Sequence, residues 1–264
     1  MCYCQQRSGK LTLDTSRHVP AELAMRCLKS ALVDTEDNIR LIGDLKLYVA
    51  WQSNLAYLKK PPPGYMEAAV DIVGEMDSML KQLELGGYNN EYDFQFHLST
   101  LFGRAYDNHL TWVPDILHGV FQFGRPDGMK LRTASADGVT LPEVYTYRDL
   151  LLTAKETSFK PSPVRTINSK GAEEYLQEVA SQVDYHDADA RWNALFPDQP
   201  KIAFGEDYFG LFRYGRYPGP NTIISFENSA TMTVRNVASI SVHMIGIDNG
   251  DTLFERFCTG PRRN

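Results

Sequence analysis

Apolar residues recur at three- to four-residue spacing through the first hundred positions and shift toward every second position afterwards. Leu23, Met25, Cys27, Leu28 and Leu32 predict a first helix entered through Val19-Pro20-Ala21-Glu22, with Pro20 near its first turn. Asp34-Thr35-Glu36-Asp37 supplies capping oxygens for a second helix. That helix carries Ile39, Ile42, Leu45, Tyr48, Val49, Leu55 and Leu58 as far as Lys60, where Pro61-Pro62-Pro63-Gly64 stops it. A third helix is expected from Tyr65 to Leu85, ended by Gly86-Gly87, and a fourth from Asn89-Asn90-Glu91 to about Tyr106. Tyr48, Trp51 and Tyr57 read as core positions of the second helix.

After Asp107 short apolar runs alternate with Gly, Pro and Asp-Gly punctuation, which predicts strands. One helix interrupts them from Gly171 to Val183. Thr222–Glu227 and Met232–His243 read as a hairpin turning at Asn228-Ser229. The fold class that follows is α+β: about four N-terminal helices packed on a β-rich half. Its expected divisions are a flexible N-terminus at 1–18, a helical region at 19–107, a β-rich region at 108–259 and a tail at 260–264.

The 264 residues are 43% hydrophobic and 23% charged, which excludes disorder for most of the chain. The net charge of −6, with no long basic block, argues against a nucleic-acid partner. No run approaches the ~18 apolar residues of a membrane span, so no membrane partner is expected. The first residues have no apolar core, and no signal peptide is read. The chain is thus cytoplasmic as written, or secretory if a signal was removed. Cys2 and Cys4 lack metal-ligand spacing, so no metal site is expected. Cys27 and Cys258 are either two buried thiols or a disulfide tying the last segment to the first helix.

Candidate chemistry gathers at two places. Asp107-Asn108-His109 lies where a helix gives way to a strand, with Trp112 close behind. A carboxylate two residues before a histidine can hold it in one tautomer for use as a base. The same residues also read as a half-buried histidine that merely satisfies its nitrogens. The run from Tyr208 to Pro218 brings Arg213, Tyr214 and Arg216 together, a pattern that stacks on a planar ligand or plugs a sheet end. No GxGxxG, Walker loop, HExxH or GxSxG elbow is present, and no cofactor is implied.

Several segments occur in an order that resembles a known family. They are Val19-Pro20-Ala21-Glu22, Trp51-Gln52-Ser53-Asn54-Leu55-Ala56-Tyr57-Leu58, Tyr106-Asp107-Asn108-His109, Phe123-Gly124-Arg125-Pro126, Asp187-Ala188-Asp189-Ala190, Tyr217-Pro218-Gly219-Pro220, Asn236-Val237-Ala238 and Phe257-Cys258. Together they are similar to the N-terminal part of fungal serine peptidases related to chlamydial protease-like activity factor, within the tail-specific, C-terminal-processing proteases. The resemblance implies a helical region followed by a PDZ-like module, with a separate domain supplying the nucleophilic serine. It also implies that His109 matches the family's catalytic histidine, with Asn108 where glycine is usual.

Two functions follow as expectations. In one, a non-proteolytic relative binds a small apolar or planar organic ligand. It then catalyses a cyclisation, cycloaddition, dehydration or isomerisation in fungal secondary metabolism, as a cofactor-free enzyme. His109 and Asp107 act there, with Trp112, Arg213, Tyr214 and Arg216 binding the substrate. In the other, the chain is a peptide-docking piece of a protease without activity of its own. A homodimer is compatible with either.

Overall fold

The computed structural model describes residues 18–156, 158–204, 210–240, 244 and 246–259. The sequence readings at the N-terminus (including Cys2 and Cys4), at 208–209, at the end of the predicted second hairpin strand and at the 260–264 tail lie outside the described residues. In chain order, the elements begin with β1 (His18–Pro20), α1 (Ala21–Leu28), α2 (Thr35–Val49), α3 (Leu55–Lys59), α4 (Ile72–Glu84), α5 (Glu91–Gly103) and α6 (Asp115–His118). Next come β2 (Phe121–Gly124), β3 (Leu131–Ala134), β4 (Glu143–Thr146), α7 (Tyr147–Lys155), β5 (Val164–Ile167), β6 (Lys170–Gly171) and α8 (Ala172–Ala180). Last are α9 (Ala188–Ala194), α10 (Gln199–Ala203), β7 (Tyr214–Gly215), β8 (Asn221–Phe226), β9 (Thr231–Arg235), β10 (Val237–Ile240) and α11 (Gly250–Phe257). The fold is α+β, as the change of period indicates.

The described residues form two compact units, one holding 26–120 with 244–259 and the other 18–25 with 121–240. The chain therefore divides after Val120 rather than at 107/108, and its last helix returns to the helical unit. That return rests on a close backbone approach. A Cβ on Gly250 would lie 1.8 Å from the Ser30 carbonyl oxygen, so only glycine fits there.

In the helical unit, side-chain caps set the helix starts. Asp34 accepts from Asp37 N, Asp71 from Gly74 N and Asn90 from Asp93 N. Asp71 explains why α4 begins at Ile72 rather than Tyr65: its carboxylate takes a helix N–H that a longer helix would bond internally. Lys59 and Gly74 together hold the Asp71 carboxyl below its ordinary pKa. The expected second helix is split into α2 and α3. Trp51 N and Gln52 N bond three residues back to Tyr48 O and Val49 O, which tightens and ends the turn. Trp51, Tyr48 and Tyr57 face outward, Trp51 to 91% exposure, against the core role expected of them. The core instead unites Ile42 and Val49 of α2, Ile72, Met76, Met79 and Leu83 of α4, and Phe94, Leu98, Leu101 and Phe102 of α5. Each such side chain stabilises the fold by roughly 1.5–3 kcal/mol on burial.

The β-rich unit contains two four-stranded antiparallel sheets, ordered β1-β10-β2-β7 and β6-β5-β8-β9, and the separate β3-β4 hairpin. The single strand expected from Met232 onward is broken at Asn236, so β9 pairs with β8 while β10 joins the other sheet. Asn236 is fully buried. It accepts from Thr222 Oγ1 at 2.9 Å and from Ala21 N through its carbonyl, and it donates to Gly219 O at 3.1 Å. A buried side-chain amide satisfied in this way replaces the ladder bonds the strand gives up. Asn168 and Ser169 both take positive φ, as a two-residue β5–β6 hairpin requires. Met129, Leu131, Ile167, Leu176, Leu195, Phe212 and Ile224 fill this unit's core.

Candidate functional site

The segment after α5 is shaped by backbone and carboxylate together. Tyr106 adopts φ 48°, an uncommon conformation for a non-glycine residue, and this reverses the chain before Asp107. The left-handed residue of the turn is thus Tyr106, so Asn108, where the resemblance implies a glycine, imposes no such strain. Asp107 Oδ1 accepts from His109 N at 2.9 Å and lies 3.3 Å from His109 Nδ1. Asp107 Oδ2 accepts from Gln52 Nε2 at 2.9 Å. Gln52 sits in the turn that ends α2, so the break in the second helix supplies the residue that steadies the carboxylate. The His109 side chain is 96% exposed, whereas that of Asp107 is 22% exposed. A carboxylate at Nδ1 favours the tautomer that leaves Nε2 facing solvent as a proton acceptor.

Trp112 does not wall an open site. It is half-buried against the helical core, and its Nε1–H donates to Gln95 Oε1 at 2.8 Å. Gln95 Nε2 donates to Glu91 Oε1 at 2.7 Å, and Asn38 Nδ2 donates to Glu91 Oε2 at 2.7 Å. Burial is the main cause of a raised Glu91 pKa. Cys258, at the end of α11, is half-buried, and desolvation followed by the charges of Glu91 and Asp115 pushes its thiol to about 12. Cys27 is buried on α1, and no disulfide joins it to Cys258. A thiol held neutral at physiological pH is a poor partner for disulfide exchange, which requires the thiolate.

Arg213, Tyr214 and Arg216 belong to the β-rich unit, on and beside β7. Arg213 is buried, its Nε donates to Arg125 O at 3.3 Å, and its guanidinium stacks 4.7 Å from the centre of the Tyr214 ring. The Tyr214 ring lies against Gly124, where a Cβ would come within 2.8 Å of it. Arg213 and Tyr214 therefore spend these contacts inside the β-rich unit rather than on an open face. Arg216 is half-buried. The structure joins His109 to Asp107 and Trp112 to the α5 network. Gln52, Gln95, Glu91 and Asn38 were not singled out in the sequence. The i, i+4 spacing of Glu91 and Gln95 was the available signal, but it is shared by ordinary exposed helix pairs.

Among the described residues, no group of three or more His, Cys, Asp or Glu could hold a metal ion, and no helix is long and apolar enough to cross a membrane.

Comparison with known proteins bears on both units. Residues 122–244 match the CPAF-like PDZ domain. Two Peptidase S41 family proteins of Diaporthe leptostromiformis, phomP1' and phomP1, are each 31% identical to this chain over 204 residues, 75% of it. The chain spans only 30% of the length of these relatives. No solved structure gives a significant match. The β-rich unit thus carries a CPAF-like PDZ domain, and the chain resembles the N-terminal, PDZ-bearing part of fungal S41 peptidases.

Proposed function

We propose that the chain is the peptide-docking and histidine-presenting region of an S41-type protein. The observation that carries this reading is the PDZ-like domain at 122–244, whose β9 is an edge strand with β8 on one side. Along β9, Thr231, Thr233 and Arg235 are exposed while Met232 and Val234 pack inward. An extended peptide adds to such an edge through main-chain hydrogen bonds, with alternate side chains setting specificity. His109, backed by Asp107 and Gln52, then serves as proton acceptor for a nucleophile supplied from outside the described residues. Histidine alone activates nothing without that nucleophile. The isolated chain is expected to bind peptides without cleaving them. The test is titration of the isotope-labelled chain with a mixed-sequence peptide library, followed by NMR. Amide shifts concentrated at 231–235 are expected; saturating library with no shifts in that strand overturns the docking role.

A second reading is favoured by one observation, the fully presented and carboxylate-oriented His109 imidazole. On this reading the chain binds a small apolar or planar molecule. His109 then donates to or accepts from its oxygen during a cyclisation, cycloaddition, dehydration or isomerisation. His109→Ala separates the two readings, because peptide binding at β9 survives it while turnover of a small molecule does not. Being so exposed, the substitution is expected to change stability by no more than about 0.5 kcal/mol.

A further inference from the structure

Glu91 and Gln95 stand one turn apart on α5, and both are buried. An ionised carboxylate accepts on both oxygens and donates on neither. Both amides around Glu91 must therefore turn their NH2 groups toward it, as Asn38 and Gln95 do. A side-chain amide that points its NH2 one way points its carbonyl the other. For Gln95 the other side is Trp112, whose indole nitrogen is a donor only and whose partner must be an oxygen. If Gln95 were reversed, N–H would face N–H. The direction of every bond from Glu91 to Trp112 is thus dictated by the acceptor at its start.

Trp112 stands three residues beyond His109, and Leu110 between them is buried in the helical core. The loop bearing His109 is pinned at one end by Gln52 on Asp107 and at the other by Gln95 on Trp112. Support for a helix start does not require this arrangement, since an exposed acid in the first turn supplies it without the cost of desolvation. No cation among the described residues pairs with Glu91 to offset that cost, and its neighbours Asn38 and Gln95 are neutral.

We infer that Glu91 is a positioning residue for His109: its acceptor-only carboxylate decides which way Gln95 faces, and Gln95 in that orientation fixes Trp112 and the loop at 107–112. The inference concerns where His109 sits and holds separately from whether His109 takes a proton from any nucleophile.

The test uses NMR on the intact chain. Trp112→Phe identifies the Trp112 indole N–H signal by its loss, and the His109 Cε1–H signal reports the loop. Glu91→Gln offers one acceptor where two are needed, so it is expected to shift or split the Trp112 signal and move the His109 signal. The double variant Glu91→Gln/Gln95→Glu returns an acceptor to Trp112, lets the amide at position 91 donate to the relocated carboxylate, and still leaves an oxygen for Asn38. It is expected to bring both signals back toward the parent positions, a rescue that generic loss of packing does not predict. Trp112→Phe keeps an aromatic ring of similar shape and deletes the donor, so it is expected to move the His109 signal in a folded protein. Should Glu91→Gln fail to fold, Trp112→Phe and the double variant still decide. A His109 signal unmoved by Trp112→Phe, or a folded double variant whose signals stay displaced, overturns the inference.

Discussion

Among the described residues, the helical unit buries one charge, the carboxylate of Glu91, whereas the β-rich unit buries charges of the opposite sign, the arginines Arg125, Arg191 and Arg213. In the helical unit the charge is Glu91, answered by the amides of Asn38 and Gln95. In the β-rich unit the most buried is Arg125, which donates to Phe212 O, to Thr222 Oγ1 at 3.1 Å and to Tyr175 Oη at 2.9 Å, and stacks 4.1 Å from the centre of the Phe212 ring. Burial raises the Glu91 pKa and lowers that of Arg125. The consequences differ. A carboxylate can escape its desolvation by taking a proton at accessible pH, whereas a guanidinium cannot shed its charge in a protein. Arg125 must therefore be held by a full set of acceptors, and the elements it bonds become fixed by it. Glu91 instead leaves the helical unit responsive to pH.

The largest effects come from the glycines that allow each unit to close. Gly210 takes φ +78°, and a Cβ there would meet the Leu195 carbonyl oxygen at 2.2 Å; Gly250 meets Ser30 O at 1.8 Å. Both contacts are with backbone, which cannot swing aside. Gly250→Ala is expected to cost about 3 kcal/mol by overpacking, and Gly210→Ala to add about 1–2 kcal/mol for the left-handed conformation. Urea denaturation followed separately by fluorescence and circular dichroism measures both. Equal losses would show that backbone conformation contributes little at Gly210.

Next in size is Arg125→Met, which removes the donors to Phe212 O, Thr222 and Tyr175 while keeping much of the volume. Stranding buried acceptors costs about 1–3 kcal/mol each, partly offset by loss of the buried charge, so a net loss of about 2–3 kcal/mol is expected. The loss should be the same at pH 5 and pH 8, because the arginine does not titrate there. A loss that varies across that range would remove the contrast with Glu91.

The smallest effect has a definite sign. Because the folded-state pKa of Glu91 lies above its unfolded value, the native state binds the proton more tightly. Its contribution is fully present below the ordinary carboxyl range near 4.5 and is lost as pH rises through the folded pKa. The slope cannot exceed about 1.4 kcal/mol per pH unit for one proton. Comparing melting temperatures of the parent and of Glu91→Gln between pH 4 and 8 cancels the titrating groups that do not interact with Glu91. The difference is expected to move in favour of the variant as pH rises; a flat difference would mean Glu91 is not desolvated.

Much of the site was hidden for a reason that particular residues make plain. His109 and Asp107 were legible because two residues in sequence bring a carboxylate within reach of an imidazole. Trp112 was visible as an aromatic beside them, but its direction is set by Gln95, seventeen positions earlier on α5. Gln52, which holds Asp107, was read as part of a continuing helix and of one resembling segment, not as a site residue. Arg213 and Tyr214 looked like ligand contacts because an Arg-aromatic run has the same composition whether it stacks on a substrate or on itself.

Local physics along the chain determined the helical character of the N-terminal region through the 3.6-residue period and the Asp and Asn caps, and the β-rich second half through its shift toward alternation. The resemblance to the PDZ-bearing part of serine peptidases likewise rested on ordered short segments. Tertiary structure alone decided which way each polar group faces. Asn236 divides an apparently single strand because its side chain is satisfied by Thr222 and by the turn at Gly219. Trp51 leaves the core because α2 ends at Val49, before that position is reached, and α11 returns to the helical unit because Gly250 lets two backbones touch. Periodicity reports the faces of one element at a time, whereas buried donors, acceptors and close backbone approaches are matched between elements distant in sequence.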